Sequence, residues 1–370
     1  MNVAVVGCGV FGLAAAIELA SRGHRVTAFD QGRVPFEKAS SHDTSKTIRR
    51  VYGDDATYVE LVERAAPTWR DWQERSGVRF FEEVGYIYVV RNFRSGTRVY
   101  DAWAMLGGSR PELSLVPLEE ARQRFPQFGL RPGDTVLHDR WGGYLASARA
   151  VGAMARLASA GGVELREETP VRSVEPGRVV VDHGGAVAFD RVVVAAGVWI
   201  PRLVPSIGLT PTRQCMAFFE PPESARDRYA PGPMPVFSIE SDVTGWYGHP
   251  LAHEGWVKVA NDLRGEVVDP DSHRQAPPEF LERARAFVAE RIPGLADAPI
   301  RGSRSCLYEN TPDHDFVVDW APGLDGVLVA GGGSGHGFKF GGAIGPVIAD
   351  ALEERPNRLG ERFRIGARFA

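Results

Sequence analysis

Cysteine is scarce in this chain. Three residues, Cys8, Cys215 and Cys306, stand among 370 with no C-x-x-C spacing. Neither a disulfide framework nor a zinc site is expected, and no other metal site suggests itself. No charge of one sign dominates either: 43 Lys and Arg against 47 Asp and Glu leave a formal net charge of −4. That balance gives no basic footprint for nucleic acid. Long apolar runs are also missing. The longest, near Val192 to Ile200, is far too short to span a bilayer. An apolar strand begins almost at the first residue, so no signal peptide is expected and the cytoplasm is the expected compartment. Internal repeats and low-complexity tracts do not stand out. The 44% hydrophobic and 24% charged content is that of a soluble globular protein, and the length suits two domains better than one core.

What is there is concentrated at the beginning. Val3-Ala4-Val5-Val6 reads as a buried parallel strand, and Gly7-Cys8-Gly9-Val10-Phe11-Gly12 follows it. An apolar periodic helix comes next (Leu13, Ala16, Ile17, Leu19, Ala20), Gly23 stops it, and Arg25 to Asp30 returns as a second strand. Gly-x-Gly-x-x-Gly in that context is a dinucleotide-binding fingerprint. Gly7 permits the tight turn, Gly9 lets backbone approach a pyrophosphate, and Gly12 lets helix pack on strand. Free N–H groups and the positive end of the helix dipole face the phosphates. Asp30, 18 residues after Gly12, stands at a strand end where a carboxylate accepts hydrogen bonds from ribose hydroxyls. The fingerprint alone does not separate FAD from NAD.

Gly32 to Ser45 is polar and aperiodic, a long loop at the carboxyl edge of a parallel sheet, where ligands bind. A helical pattern starts at Lys46 and strengthens over Tyr58 to Trp72, with Pro67 a candidate kink. Phe80 to Val90 reads as a hairpin turning at Glu83-Val84-Gly85, and residues 113–145 as a short helix with an irregular connection. Ser147 is the candidate N-cap of an Ala-rich helix reaching Ala160. A strand at Gly162 to Leu165, a short hairpin over Val171 to Val187, and an apolar strand from Arg191 into Ala195-Ala196-Gly197 follow. Alternating runs between Pro211 and Asp262 read as antiparallel sheet. A helix from Pro278 to Glu290, an apolar strand from Gly326 to Ala330, a glycine-rich turn and a helix from about Ile344 to Glu354 complete the chain. The expected class is α/β with two domains. A Rossmann-like dinucleotide domain (1–80, 146–210 and 300–370) is interrupted by a mostly antiparallel substrate domain (81–145 and 211–299).

Four stretches together carry a resemblance. They are the fingerprint, Ser40 to Gly53 (SSHDTSKTIRRVYG), Ala195 to Trp199, and Cys306-Leu307-Tyr308 followed by Gly333-Ser-Gly-His-Gly-Phe-Lys-Phe340. In order and spacing the chain resembles the FAD-dependent amine oxidases typified by monomeric sarcosine oxidase, N-methyltryptophan oxidase, pipecolate oxidase and the fructosyl-amino-acid oxidases. The resemblance implies FAD as cofactor. It points to Gly7, Gly9, Val10, Phe11, Gly12, Asp30, Ser41, Thr44, Gly197, Trp199, Cys306, Gly333, Gly335, His336, Gly337, Phe338 and Lys339 as the residues around it. Physically, the glycines from Gly331 to Gly337 let backbone lie against a planar ring, with N–H groups facing the flavin pyrimidine edge. The helix that follows aims its positive end there, which suits an anionic reduced flavin. Taken alone, Cys306 is a small buried hydrophobe; the resemblance implies a thioether to the flavin 8-methyl carbon. Cys8 and Cys215 read as structural.

Lys339 by itself would be a surface lysine. The resemblance implies that it grips a substrate carboxylate together with Arg49, fork and point charge acting on one group. Lys258, in Trp256-Val-Lys-Val-Ala260, reads by alternation as outward-facing. The resemblance instead puts it near flavin N5, where a fixed positive charge promotes reaction with O2. His336 reads as positional, and His249 and His253 are open. Two departures stand out. Lys46 occupies the position, three before Arg49, where sarcosine-oxidase-like members commonly carry Arg, and Asp43-x-x-Lys46 is closer to the fructosyl-amino-acid oxidases. Asn261-Asp262 stands where those members have a histidine, and an acid there suits a cationic amine or a sugar-like hydroxyl. Sarcosine itself is therefore not the expected substrate.

The implied activity is oxidation of an amino acid or N-substituted amino acid. Hydride passes from the amine carbon to flavin N5 and O2 is reduced to H2O2, with no catalytic base required. The alternatives are an amine dehydrogenase passing electrons to a quinone or partner protein, and a deglycating fructosyl-amino-acid oxidase. The implied partners are a small-molecule amine and O2, without nucleic acid or membrane, in a monomer or small homo-oligomer.

Overall fold

The computed structural model describes residues 1–182, 184–240, 243–263, 265–366 and 368–369. Its first sheet has six strands in the order Val317–Trp320, Val327–Gly331, Arg191–Val194, Asn2–Val6, Arg25–Phe29 and Glu164–Arg166. All neighbours are parallel except Val317–Trp320, which runs antiparallel at the edge. The interior strands are continuous apolar runs because both faces are covered. On one face lie the helices Val10–Ser21, Ala56–Ser76, Ser147–Ala160 and Gly341–Leu352, packed over Val3, Val5, Val193 and Leu328. On the other, Ala4, Val6, Val192 and Val194 meet a three-stranded antiparallel meander and the Ile200–Ile207 segment.

The second sheet has eight strands: Ile300–Asn310, Thr210–Phe219, Val257–Asn261, Trp246–His249, Val236–Ile239, Tyr86–Val90, Thr135–Asp139 and Leu113–Val116. Helix Pro278–Arg291 buries Phe280, Ala284, Phe287 and Val288 against Ala217, Phe219, Val257 and Val259. A small sheet of Lys46–Ile48, Gly143–Leu145 and Phe81–Glu82 stands apart from both. Among the described residues no helix is long and apolar enough to cross a membrane.

Several expectations are corrected. Lys46–Ile48 is a strand paired with Gly143–Leu145, not the start of a helix. The helix begins at Ala56, where the Asp55 carboxylate accepts from the Thr57 and Tyr58 N–H groups at 3.1 and 3.2 Å. Pro67 does not split it: the helix runs unbroken to Gly77, whose φ of 64° is the left-handed stop that glycine allows. Phe80 to Val90 is no hairpin. Phe81–Glu82 pairs with Tyr144–Leu145, while Tyr86–Val90 has strands on both sides and is buried at every position. The connection expected over 113–145 carries three strands and the helix Leu118–Arg124. Ser147 is the first helical residue rather than the cap, and its hydroxyl donates to the Asp43 carbonyl at 2.8 Å. Finally, Ile300–Asn310 belongs to the eight-stranded sheet, paired along its length with Thr210–Phe219.

Candidate active site

The carboxyl ends of the central parallel strands open on a cavity of about 1380 Å³, its mouth included. Gly7 has φ +102° and a Cβ there would lie 2.4 Å from the Ala195 carbonyl oxygen. On Gly12 a Cβ would fall 1.8 Å from the Gly7 oxygen, and on Gly9 it would crowd Ser41 Oγ at 3.1 Å. Ser41 Oγ accepts from the Val10 N–H at 3.0 Å, occupying one of the free donors at the helix start. The Asp30 carboxylate lines the cavity and also ties the fingerprint down, accepting from the Cys8 N–H at 2.8 Å and the Gly32 N–H at 3.0 Å. Burial pushes both the Asp30 carboxyl and the Cys8 thiol up, so Cys8 is an inert structural group.

The far wall joins Cys306, Leu307, Tyr308 and Glu309 to Gly333, Gly335, Gly337 and Phe338. Gly335 (φ +80°) lies so close to the Tyr308 ring that a Cβ would come within 2.2 Å. Trp199 and Gly197 close a third side, Trp199 Nε1 donating to Asp271 at 2.8 Å. Glycine floors and a helix start fit a dinucleotide. Thr44 lines neither this cavity nor the next; its N–H donates to its neighbour Asp43 at 2.7 Å.

Sequence reasoning missed Glu309. Its Oε1 accepts from the Gly333 N–H at 2.9 Å, while buried Oε2 has no hydrogen-bond partner among the described residues. Burial pushes this carboxyl up to about 7, the Gly333 N–H opposing. The only signal was an acid directly after Cys-Leu-Tyr.

A second, smaller cavity shares Lys46, Tyr308, Gly335 and Phe338 with the first. Its other walls bring together Arg49, Lys339 and His336 with Arg98, Asp262, Tyr86, Tyr88 and Tyr247. The Arg49 guanidinium lies 4.4 Å over the Tyr52 ring and donates to the Val51 carbonyl. Lys339 Nζ donates to the Tyr52 hydroxyl at 3.0 Å and the His336 carbonyl at 2.7 Å, both neutral oxygens. Burial, with Arg49, Arg98 and Lys46 nearby, pushes the Lys339 amine well below its ordinary value. Its own carbonyl accepts from Trp69 Nε1 at 2.8 Å, fixing the turn that carries it. His336 is held by the His314 carbonyl at 3.0 Å, and burial keeps it neutral.

Lys258 corrects the alternation reading. It is 1% exposed and points inward, donating to Asp43 Oδ2 at 2.6 Å and the Ser45 carbonyl at 2.7 Å. Asp43 and Ser45 of the preceding loop lie over Lys258, so its side of the strand is covered rather than solvated. Burial lowers the Lys258 amine to about 8 although Asp43 opposes the shift. Lys258 lines neither cavity. Cys306 Sγ does reach the first cavity wall and lies 3.3 Å from Lys46 Nζ. His249, fully buried, sits between Ser45 Oγ (2.5 Å) and Thr47 Oγ1 (2.9 Å) with its ring stacked on Tyr144; it is framework. His253 lies 3.9 Å from Glu82 and lines neither cavity. Cys215 pairs within the large sheet opposite Ser305, its thiol pushed up to about 11 by burial.

Residues 2–351 match the family model described as FAD dependent oxidoreductase, and the chain belongs to that family, whose members use FAD. It is 27% identical to N-methyl-L-tryptophan oxidases of Yersinia pestis and Yersinia pseudotuberculosis, the alignment covering 97% of this chain and 96% of theirs. Among solved structures it is similar in fold to L-proline dehydrogenase from P. horikoshii, with TM-score 0.85 and 21% identity over 98% of this chain and 96% of that one. Fructosamine oxidase (Amadoriase II) from Aspergillus fumigatus gives TM-score 0.83 and 23% identity over 100% and 90%. NikD, an amino acid oxidase, gives 0.81 and 21% over 96% and 95%.

Proposed function

We propose that this FAD-dependent oxidoreductase oxidises a carboxylate-bearing amine, an amino acid or N-substituted amino acid, and hands the electrons to O2 as H2O2. One observation carries the reading: a cavity lined by Arg49 and Lys339 opens beside the dinucleotide cavity, with Lys46, Tyr308, Gly335 and Phe338 common to both. Bound against the glycine walls, FAD would supply the acceptor for a hydride from the substrate's amine carbon. The chain's own groups bind and orient. A substrate carboxylate would take the Arg49 fork and the Lys339 ammonium, replacing the neutral oxygens that Lys339 now contacts. Its arrival would favour the charged form of Lys339. Tyr86, Tyr88 and Tyr247 would exclude water around the amine. With Ile300–Asn310 moved across, the division we favour gives the cofactor unit 1–80, 146–209 and 311–370, and the substrate unit 81–145 and 210–310.

Asp262 on the same wall supports a second reading, an amine bearing a hydroxylated group such as a sugar. A panel of N-methyl amino acids, cyclic amino acids and fructosyl amino acids, scored by H2O2 release, separates the two. Yellow protein that bleaches with an amine but releases no H2O2 would favour a dehydrogenase. Covalent attachment of FAD through Cys306 is supported by the thiol's place on the cavity wall. Acid precipitation tests it. Colour should stay in the wild-type pellet and move to the supernatant in Cys306→Ala; colour released from wild type refutes the bond.

A further inference from the structure

Among the described residues, five hydroxyls are buried without a hydrogen-bond partner: those of Tyr88, Tyr229, Ser238, Ser272 and Ser305. Two of them, Tyr88 and Ser238, line the smaller cavity, and these two are neighbours across strands. Ser238 pairs with Tyr88 on one side and with Tyr247 on the other, so the three side chains leave the eight-stranded sheet in one row on one face. The Tyr88 ring stacks on Tyr86 at 4.2 Å, and both hydroxyls lie near enough to Arg49 to feel its charge. That turns the Tyr88 hydroxyl toward the cavity that Arg49 lines. The Tyr86 hydroxyl approaches Ser238 Oγ without forming a proper hydrogen bond, and the Tyr247 hydroxyl sits against that of Tyr308. Tyr88 is 1% and Ser238 3% exposed. A hydroxyl buried without a partner costs folding free energy. Packing alone does not explain two of them side by side, because Phe and Ala would fill nearly the same space without that cost.

We propose that Tyr88 and Ser238 are specificity-determining residues that together hydrogen-bond a second oxygen of the substrate, one distinct from the carboxylate taken by Arg49 and Lys339. The inference rests on the amine reading above and narrows it. The substrate is an amino acid that carries a hydroxyl or a further carboxyl group, on its side chain or its N-substituent, where an apolar group of the same size would leave both hydroxyls unpaired. A site built to pair with a substrate oxygen discriminates through that penalty: the analogue without the oxygen buries the protein's polar groups unsatisfied. Burial pushes the Tyr88 phenol well above its ordinary value, so Tyr88 stays a hydrogen-bond donor at any working pH. Ser238 Oγ can donate to the same oxygen or accept from it.

The test uses FAD-loaded wild type, Tyr88→Phe, Ser238→Ala and the double variant, with matched pairs of amines. The pairs are N-methylserine against N-methyl-2-aminobutyrate, N-methylaspartate against N-methylleucine, and N-(2-hydroxyethyl)glycine against N-propylglycine. Each pair keeps the amine and the carboxylate and exchanges only oxygen for carbon. Flavin bleaching without O2 gives the rate, so the fate of the electrons does not enter. In at least one pair wild type should prefer the oxygen-bearing member by about 10–100-fold, and that pair names the source of the oxygen. The double variant should bring the ratio to within about threefold by slowing the oxygen-bearing member alone. Thermal melts are the second readout. Because neither hydroxyl has a partner, each variant should melt at or above the wild-type temperature. An equal loss on both members of a pair, as contact with the carboxylate would give, overturns the proposal. So does a wild type that favours the apolar member of every pair, and so does a fall in Tm of more than about 3 °C in Tyr88→Phe, which would show a partner within the protein. Failure of the underlying reading looks different: a wild type that none of these amines bleaches overturns the amine reading. Flavin absorbance titrations with 4-hydroxybutyrate and its methyl isostere valerate then decide the proposal, with the same preference and the same loss expected.

Discussion

Arg49 and Arg50 are adjacent in sequence and opposite in fate, and replacing Arg50 tests why. Arg50 is 1% exposed, with its fork on Asp139: Nε to Oδ2 at 3.0 Å and Nη2 to Oδ1 at 2.8 Å. Its third nitrogen reaches Glu112 at 2.8 Å and Glu63 at 3.4 Å. Asp139 is itself fully buried and otherwise accepts from the Trp141 N–H at 3.1 Å. Arg50→Met keeps the stem's packing and removes the cation, leaving a buried carboxyl short of its partner. Breaking such a pair costs about 3–5 kcal/mol. At roughly 2 °C per kcal/mol for a chain of this size, Tm should fall by about 6–10 °C.

Because Arg50 anchors the backbone from which Arg49 projects, the variant should also raise KM for a carboxylate substrate more than it lowers kcat. Urea unfolding followed by tryptophan fluorescence, with thermal melts, measures the stability change. The double variant Arg50→Met/Asp139→Leu removes both charges and should recover more than half of the loss, since an apolar pair of similar volume replaces a buried ion pair at little cost. A single variant within 1 kcal/mol of wild type, or a double variant that loses the sum of the two singles, refutes the reasoning.

Two further outcomes follow from the cavity walls. Gly12→Ala puts a Cβ 1.8 Å from the Gly7 oxygen, which only a shift of helix against strand relieves; the protein should purify colourless, destabilised by about 1–3 kcal/mol in urea, and a yellow variant of normal stability contradicts this. Glu309 titrates near 7 when folded, above an ordinary glutamate, so its stabilising protonated form is fully present below about pH 4.5 and lost as pH rises through 7. Wild type should therefore lose stability of order 3 kcal/mol between pH 5 and pH 8 relative to Glu309→Gln; an unchanged difference between the two proteins over that range shows a carboxylate ionised throughout.

Much of the frame was legible because it rests on local causes. Continuous apolar runs announced the parallel strands at Asn2–Val6, Arg25–Phe29, Arg191–Val194 and Val327–Gly331. The helices Ser147–Ala160 and Pro278–Arg291 fall within a residue or so of expectation because their apolar spacing is helical and their ends are marked. Strand partners were not legible. Phe81–Glu82 and Tyr86–Val90 look like two arms of a hairpin because Gly85 turns the chain between them, yet their partners come from residues 144–145, 135–139 and 236–239. The strand Lys46–Ile48 exists only by virtue of Gly143–Leu145, nearly a hundred residues on.

The same limit governs the site, and it falls on choices between like residues. Nothing in Arg49-Arg50 says which guanidinium turns into a cavity and which is consumed by Asp139; the resemblance chose Arg49, and the four acceptor distances around Arg50 give the physical reason. Nothing near Lys258 says that the loop bearing Asp43, 215 positions earlier, closes over its face of the sheet. Alternation predicts an outward lysine because it assumes one solvated face, and a single loop lying on that face reverses the prediction. The cation that lines a cavity is therefore settled by where the nearest carboxylate is spent. Asp139 takes Arg50 and leaves Arg49 to the cavity; Asp43 holds Lys258 at 2.6 Å and Lys46 at 3.2 Å on one oxygen. Both carboxylates are buried, so each must be paired, and the Asp139 pairing decides which guanidinium remains on a cavity wall.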